Sequence, residues 1–178
     1  MPVLEFTDPN PKIQASQEAF HISFMTDGAL PRRLMELIRL RIAFHNQCRT
    51  CMASRYEDAI ADGVNEDLVC SLEKPHEADD LTDAERAALR FADLFATNHL
   101  AIDEALVAEL RRHFSEREIH EIAYSCACWV AGGRLSAISF EVDELPEYFQ
   151  AAPGQLTPWG TKETVVMPSY ATAGIPQL

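Results

Sequence analysis

Two helix-start signals, TDAE at 82–85 and SERE at 115–118, constrain the fold of this chain more than any other feature. In each signal a hydroxyl side chain precedes a glutamate by three positions, so both side chains can satisfy free backbone N–H groups at a helix N-terminus. Apolar residues follow at helical spacing, namely Ala88, Phe91, Leu94 and Phe95 after the first signal and Ile119, Ile122, Ala123, Cys126 and Val130 after the second. The pattern predicts a helix after each signal.

The region before residue 64 also carries helical patterns. Pro31 suits a first helical turn, and the apolar residues at 34, 37, 38 and 42 predict an amphipathic helix that ends near His45. Three arginines are expected to lie on its outer face: Arg32, Arg33 and Arg39. A second helix is predicted from the cysteines through MASRYEDAIAD to Gly63, where glycine lets the chain turn away.

Shorter patterns complete the prediction of a helical chain. The apolar spacing before Gly28 fits a strand or a helix, and we predict a short helix there. Asn65 is expected to cap another short helix, and DEALVAELRRHF should form one more. The Gly132-Gly133 pair should allow close contact within one continuous helix, because the apolar pattern resumes after it. Together these patterns predict an all-α bundle of about six to eight helices over residues 1–145.

The last part of the chain has a different character. Five of the ten prolines fall after residue 145, at positions 146, 153, 158, 168 and 176, and no helical period persists there. Its apolar residues, including Trp159 and the TVVM stretch, argue against plain disorder. We expect an extended C-terminal tail at 146–178 that packs on its own domain or on a neighbouring subunit.

Composition and charge exclude several classes of function. The formal net charge is −13, so a phosphate backbone would be repelled, and nucleic acid is not an expected partner. No apolar run is long enough for a bilayer, and the start MPVLEFTDPNPK lacks the features of a secretory signal, so we expect a cytoplasmic protein without membrane contact. No phosphate-cradling glycine loop is present, and no cofactor is expected. Five cysteines, at 48, 51, 70, 126 and 128, do not suggest a secreted disulfide scaffold.

Cys48 and Cys51 stand three residues apart at a predicted helix start, where two thiols can approach disulfide geometry and a thiolate is favoured. Zinc binding is an alternative that would need further ligands, such as Cys126, Cys128 and His120. One-residue spacing on a helix turns Cys126 and Cys128 about 200° apart around the axis, which argues against a metal. Inert core packing is the third alternative, and it suits the other three cysteines better than a pair with polar neighbours.

The order of Glu36, Cys48 and Cys51 in two consecutive helices, followed by the capped helix LTDAERAALRFAD, resembles the carboxymuconolactone decarboxylase and alkylhydroperoxidase D superfamily. The likeness runs from about residue 30 to residue 142 and is greatest with the peroxidase-related branch, which carries paired cysteines. The resemblance implies an all-helical fold and assembly into homo-oligomers.

The resemblance also implies roles for individual residues. Cys51 would attack a hydroperoxide, Cys48 would resolve the product into a disulfide, and Glu36 would serve the proton relay. A surface carboxylate paired with a nearby arginine is the alternative for Glu36. The family motif continues Cys-x-x-Cys-x-x-x-His, but this chain has Arg55 at the histidine position, one helical turn beyond Cys51. Arginine can stabilise a thiolate but cannot shuttle a proton, so His45 becomes a candidate, with a helix C-terminal role as its alternative.

By this resemblance we expect a thiol-dependent hydroperoxide reductase, or a related thiol–disulfide oxidoreductase. Its partners would be a small-molecule hydroperoxide and a dithiol or lipoyl-type reductant. One alternative is a decarboxylase-like enzyme for a small carboxylic acid or lactone, in which Arg55 would bind the carboxylate. Another is an oligomeric homologue without catalytic activity.

Overall fold

The computed structural model describes Leu4 and residues 6–139 and 165–169. Within these ranges the elements are, in chain order, α1 (Pro11–Asp27), α2 (Arg32–Asn46), α3 (Arg49–Ala53), β1 (Ser54–Tyr56), α4 (Glu57–Ala61), α5 (Glu66–Ser71), α6 (Asp83–Thr97), α7 (Glu104–His113), α8 (Glu116–Ser139) and β2 (Val165–Met167). Short 3-10 turns lie at Pro75–Glu77 and His99–Ala101. The all-α class is confirmed. Over the described ranges, none of the helices combines the length and apolar character that a membrane crossing needs.

The helix starts follow the capping signals of the sequence. At α6 the Thr82 hydroxyl accepts a hydrogen bond from the backbone N–H of Glu85 at 3.2 Å, and the Glu85 carboxylate accepts one from the Thr82 N–H at 2.8 Å. Ser115 and Glu118 make the same reciprocal pair before α8. The Asn65 side chain accepts from the Leu68 N–H at 3.0 Å. Each cap satisfies N–H groups that lack partners within the helix, and these predicted starts are confirmed.

Helix α2 is the central element and packs against α8 and α6. Side chains on one side of it, including Ile38 and Ile42, join a core with α6, α7 and α8. Leu37 and Leu40 on another side join a second core with α4, α5 and Leu89 of α6. Because α2 is enclosed in this way, the expectation that Arg39 lies outside is wrong: its residue is only 5% exposed.

The prediction of a single helix after the cysteines is wrong, because strand β1 at Ser54–Tyr56 interrupts it. Ser54 is extended, with φ −86° and ψ 143°, and β1 pairs in parallel with β2, Ser54 opposite Val165. Arginine side chains bind backbone oxygens that would accept N–H hydrogen bonds in a continuous helix. Arg39 donates to the Ser54 oxygen at 2.6 Å, and Arg55 donates to the Met52 oxygen at 2.8 Å. Buried guanidinium groups and a strand partner therefore outweigh local helix propensity here.

Part of the predicted tail falls within the described residues. Val165–Met167 forms β2 on the same chain's β1, and Ser169 is buried. The proposed boundary at residues 145 and 146 lies in 140–164, outside the described residues, as do residues 170–178. The division into a helical domain and a tail therefore stays a prediction.

We expect Leu37→Ala to lower the free energy of unfolding by about 2–5 kcal/mol, because it leaves a cavity in the second core. Leu37 is fully buried, whereas Leu100 is 85% exposed, so Leu100→Ala is the matched control and should change stability by less than about 0.5 kcal/mol. Urea denaturation followed by circular dichroism measures both. Equal small effects would contradict the central position of α2.

Candidate functional site

The two paired cysteines lie where α2 ends and α3 begins. Gln47 ends α2 in the left-handed region, with φ 51°, and turns the chain so that Cys48 becomes the N-cap of α3. The Cys48 sulfur accepts a hydrogen bond from the Cys51 N–H at 3.3 Å. Cys48 and Cys51 form a disulfide with their Cα atoms 5.3 Å apart. The helix junction therefore holds the two sulfur atoms within bonding reach.

The two sulfur-bearing residues differ in their access to solvent. Cys48 is 1% exposed and is absent from the described residues that line the large cavity beside the pair. Cys51 is half-buried and forms part of that cavity wall. A small molecule in the cavity would therefore meet Cys51 first.

The cavity has a volume of about 680 Å³ and is lined by residues of α1, α2, α3, β1 and α8, together with residues before α1 and Met167 of β2. Most of the surface of the wall is apolar, and Ile13, Tyr56 and Trp129 are among the residues that line it. Polar groups from Thr50, Arg39 and His21 join Cys51 there. A largely apolar hollow of this size with a few polar groups is typical of a site for a small organic ligand.

Glu36 and Arg39 form a buried ion pair beside the cysteines. Glu36 is 3% exposed, and both of its carboxylate oxygens accept hydrogen bonds from Arg39 at 2.7 Å. The Arg39 guanidinium also donates to the backbone oxygen of Cys51 at 2.8 Å. Glu36 is thus paired with an arginine, as the alternative reading expected, but inside the protein and not on its surface. Arg39 ties the cysteine segment to α2.

The sequence analysis missed two cavity residues, Arg39 and His21. A charged residue inside the apolar pattern of α2, three positions after Glu36, was the available signal for Arg39. His21 carried no comparable signal, because its segment fitted a strand as well as a helix. Its ring stacks on Phe24 at a centroid distance of 5.6 Å and meets Trp129 edge-on at 4.7 Å. Burial, aided by the positive charge of Arg39, lowers the pKa of His21 to about 4.

Comparison with known families agrees with this arrangement. Residues 11–94, which contain α1, α2 and the cysteine pair, match the carboxymuconolactone decarboxylase family. These residues belong to that family. Two uncharacterized curated relatives, from two strains of Mycobacterium tuberculosis, are 36% identical over 91 residues. The match covers 50% of this chain and 31% of each relative, so it spans less than a third of the relatives' own length.

Solved structures share the fold of this chain. One is a protein of unknown function from Agrobacterium tumefaciens, described as a candidate antioxidant defence protein AhpD, with a TM-score of 0.65 and 22% identity. The likeness covers 76% of this chain and 93% of that protein. An uncharacterized peroxidase-related protein from Ralstonia eutropha, with an alkylhydroperoxidase AhpD core, has a TM-score of 0.64 and 21% identity, over 75% of this chain and 73% of its own. The fold is therefore that of AhpD-like proteins.

Arg55, at the position where the resemblance implies a histidine, has partners away from the cavity. It lies in β1, so the expected helical turn between it and Cys51 is wrong. Its guanidinium is 2% exposed and pairs with Glu66, with nitrogen–oxygen distances of 2.9 and 3.1 Å. Arg55 is not among the described residues that line the cavity.

His45 also has a partner away from the cavity lining. Its Nε2 lies 2.7 Å from Oδ1 of Asp93 on α6, and Arg41 binds the same carboxylate. Burial alone would raise the pKa of Asp93, but the hydrogen bonds and charges of His45 and Arg41 outweigh it and hold that pKa below its usual value. His45 therefore takes part in a polar link between α2 and α6.

The other three cysteines only partly follow the expectation of core packing. Cys126 is fully buried, and burial raises the pKa of its thiol. Cys128 is half-buried on the cavity wall, where burial and the charge of Glu18 raise its pKa to about 11. Cys70 is exposed, so the expectation for it is wrong. Across the described ranges, no cluster of three or more histidine, cysteine or acidic residues is placed to hold a metal ion.

We expect Asp93→Asn to be about 1–3 kcal/mol less stable than the wild type at pH 7, because Arg41 and His45 lose a charged acceptor. The pKa of Asp93 is depressed in the folded state, so its contribution is complete above the unfolded carboxyl pKa of about 4 and is lost as the pH falls through the folded-state value. The stability difference should therefore shrink below pH 4. Urea denaturation between pH 3 and pH 7 measures it.

Asp79, an exposed loop residue, provides the control for this experiment. Asp79→Asn should change the free energy of unfolding by less than about 0.5 kcal/mol at pH 7. A loss in Asp93→Asn that stays the same down to pH 3 would contradict the role of the carboxylate charge.

Proposed function

We propose that this chain is a thiol-dependent hydroperoxide reductase, or a closely related thiol–disulfide oxidoreductase, that works through Cys51 and Cys48. The observation that carries the proposal is the unequal placement of the two sulfur atoms. Cys51 opens onto an apolar cavity, and Cys48 lies buried behind it within disulfide reach. The carboxymuconolactone decarboxylase family and the AhpD-like fold support the same chemistry.

The reaction begins when the Cys51 thiolate attacks one oxygen of a hydroperoxide. The O–O bond breaks, Cys51 becomes a sulfenic acid, and the departing alkoxide takes up the proton that the thiol released, so the other product is an alcohol. The Cys48 thiol then attacks the sulfenic acid, forms the Cys48–Cys51 disulfide and releases water. The two cysteines together supply the two electrons that reduce the hydroperoxide.

An external dithiol would complete the cycle by thiol–disulfide exchange at the more accessible sulfur, that of Cys51. A lipoyl-type carrier is the partner class that the resemblance implies, and its flexible apolar chain suits the cavity. The cycle needs a compartment that keeps thiols reduced, such as the cytoplasm. A homo-oligomer is the expected working unit, and exposed apolar residues support this part of the proposal: Phe20 on α1 and Tyr124, Leu135 and Ile138 on α8.

The decarboxylase-like alternative draws less support from the site. In that alternative Arg55 binds a substrate carboxylate, but its guanidinium already pairs with Glu66 and it is not part of the described cavity wall. Arg39 does reach the wall, but it already serves Glu36 and the backbone oxygens of Cys51 and Ser54. A buried cation with these partners offers little capacity for a substrate carboxylate.

We expect brief exposure of the reduced protein to one equivalent of cumene hydroperoxide to form the Cys48–Cys51 disulfide rapidly. Cys51→Ser should abolish peroxide consumption, because the nucleophile is gone. Cys48→Ser should consume one equivalent and stop at a Cys51 sulfenic acid, which a dimedone probe traps. Peptide mass spectrometry at timed quenches follows both residues.

Cys70→Ser is the control for this experiment, because Cys70 is an exposed thiol outside the cavity wall and should not affect the rate. Thiols at 48 and 51 that stay reduced in the folded wild type would reject the peroxidase proposal. A double Cys48→Ser, Cys51→Ser protein that retains activity on a small carboxylic acid or lactone would instead support the decarboxylase-like alternative.

We expect Gly132→Leu to occupy part of the cavity and to lower the activity on large hydroperoxides more than the activity on small ones. A Cβ atom at Gly132 would meet nothing within 4 Å, so the new side chain can enter the space without a clash. The kcat/KM for cumene hydroperoxide should fall by at least about tenfold, and that for hydrogen peroxide by less than about twofold. Steady-state assays with dithiothreitol as reductant compare the two.

Ala131→Leu is the matched control, since Ala131 is the exposed neighbour of Gly132 on α8 and is not on the described cavity wall. It should leave both rates unchanged. If Gly132→Leu leaves the cumene hydroperoxide rate unchanged as well, the cavity is not where the organic group binds.

A further inference from the structure

The proposed reaction leaves one group without an assigned partner, the alkoxide oxygen that departs from the hydroperoxide. This oxygen must be stabilised and protonated as the O–O bond breaks. Arg55 is bound to Glu66, and His45 is bound to Asp93 on α6. Neither residue is among the described residues of the cavity wall. These two candidates from the sequence are therefore not placed to act as the donor.

His21 is the one histidine within the described ranges that lines the same cavity as Cys51. Helix α1 brings it there from a part of the sequence distant from the cysteines. Phe24 stacks on its ring at 5.6 Å and Trp129 meets the ring edge-on at 4.7 Å. Aromatic contacts on two sides restrict the rotation of the imidazole, so its position in the wall is set by packing.

Arg39 connects His21 to the cysteine segment. Its guanidinium donates to the Cys51 backbone oxygen at 2.8 Å, and its charge acts on the His21 ring. The histidine and the attacking cysteine therefore share the surroundings of one buried cation. An alkoxide that leaves the hydroperoxide under attack by Cys51 enters the cavity that His21 also borders.

We infer that His21 is a further catalytic residue of this cavity, whose neutral imidazole donates a hydrogen bond to the alkoxide oxygen that leaves the hydroperoxide under attack by Cys51. The inference rests on the proposed peroxidase function. No proton is created or lost in the step, because the alcohol keeps the proton that the Cys51 thiol gave up. His21 stabilises the oxygen while this transfer takes place.

The charge state of His21 fits a neutral donor. Five other titratable or charged groups line the same cavity: Glu18 on α1, Arg39 on α2, Cys51 on α3, Tyr56 on β1 and Cys128 on α8. Burial and the nearby Arg39 hold the pKa of His21 at about 4, so the ring is uncharged at neutral pH. A neutral imidazole keeps one N–H donor, and a lowered pKa preserves that form across the working range.

Two substitutions separate the donor role from the packing role. His21→Phe keeps an aromatic ring between Phe24 and Trp129 but has no donor, whereas His21→Gln keeps an N–H donor that does not titrate. In a Cys48→Ser background, stopped-flow and mass spectrometry give the second-order rate of Cys51 oxidation by cumene hydroperoxide. His21→Phe should lower this rate by about 10²-fold or more, and His21→Gln by less than about tenfold.

Alkylation of Cys51 by iodoacetamide tests for a structural role of His21. A distorted site would slow alkylation as well as oxidation by the hydroperoxide. Iodide leaves without needing a proton, so loss of the donor should leave the alkylation rate of His21→Phe within about twofold of wild type. His120→Phe is the matched control, because His120 is an exposed histidine of α8 whose ring contacts that of Tyr124. It should change neither rate.

The pH dependence tests the charge state of the donor. The ratio of the wild-type rate to the His21→Phe rate should stay constant from pH 6 to pH 8, because the pKa of His21 lies well below this range. A ratio that falls steadily as the pH rises through 7 would show a charged imidazolium donor and overturn the neutral form that we infer.

The remaining outcomes distinguish this inference from the proposed function. A wild type that alkylates normally but does not react with hydroperoxide would reject the peroxidase proposal itself. A reactive wild type with an equally reactive His21→Phe would overturn the role of His21 alone. Equal losses in His21→Phe for both reagents, or equal losses in the Phe and Gln variants, would show a packing role and also overturn it.

Discussion

The buried pair of Glu36 and Arg39 is the interaction on which the rest of the site depends. Each charge would be costly to bury alone, and removing either partner from such a pair typically costs about 3–5 kcal/mol. Together they neutralise one another, and Arg39 keeps enough donors to bind the backbone oxygens of Cys51 and Ser54. One ion pair inside the central helix thereby holds the cysteine segment in place and keeps it from continuing as a helix.

This arrangement makes the two cysteines chemically unequal. Helix α3 is short, because it ends at Ala53. Cys48 caps its start in the protein interior, whereas Cys51 lies on the cavity wall. Two identical thiols thus acquire different access to a ligand. In the proposed cycle the accessible sulfur reacts first and the buried sulfur closes the bond, which shields it from competing oxidants.

Arg55, at the position where the resemblance implies a histidine, serves the local structure of the chain. Arginine at this position pairs with Glu66 and binds the backbone oxygen of Met52, and so contributes to the break in the helix. The proton chemistry of the site must then draw on another element. Helix α1 contributes His21 to the same cavity, which places the candidate donor about thirty residues away in sequence from Cys51.

The all-α class, the helix starts at Thr82 and Ser115 and the placement of the cysteine pair at a helix junction follow from local sequence, because caps and apolar periodicity act over a few residues. The other features of the site depend on long-range contacts. Arg39 is buried because α2 is enclosed on several sides, and the helix after Cys51 breaks because distant donors and β2 satisfy its backbone. His21 meets the cavity only because α1 packs against α8. Such contacts join residues far apart in the chain, and no local pattern records them.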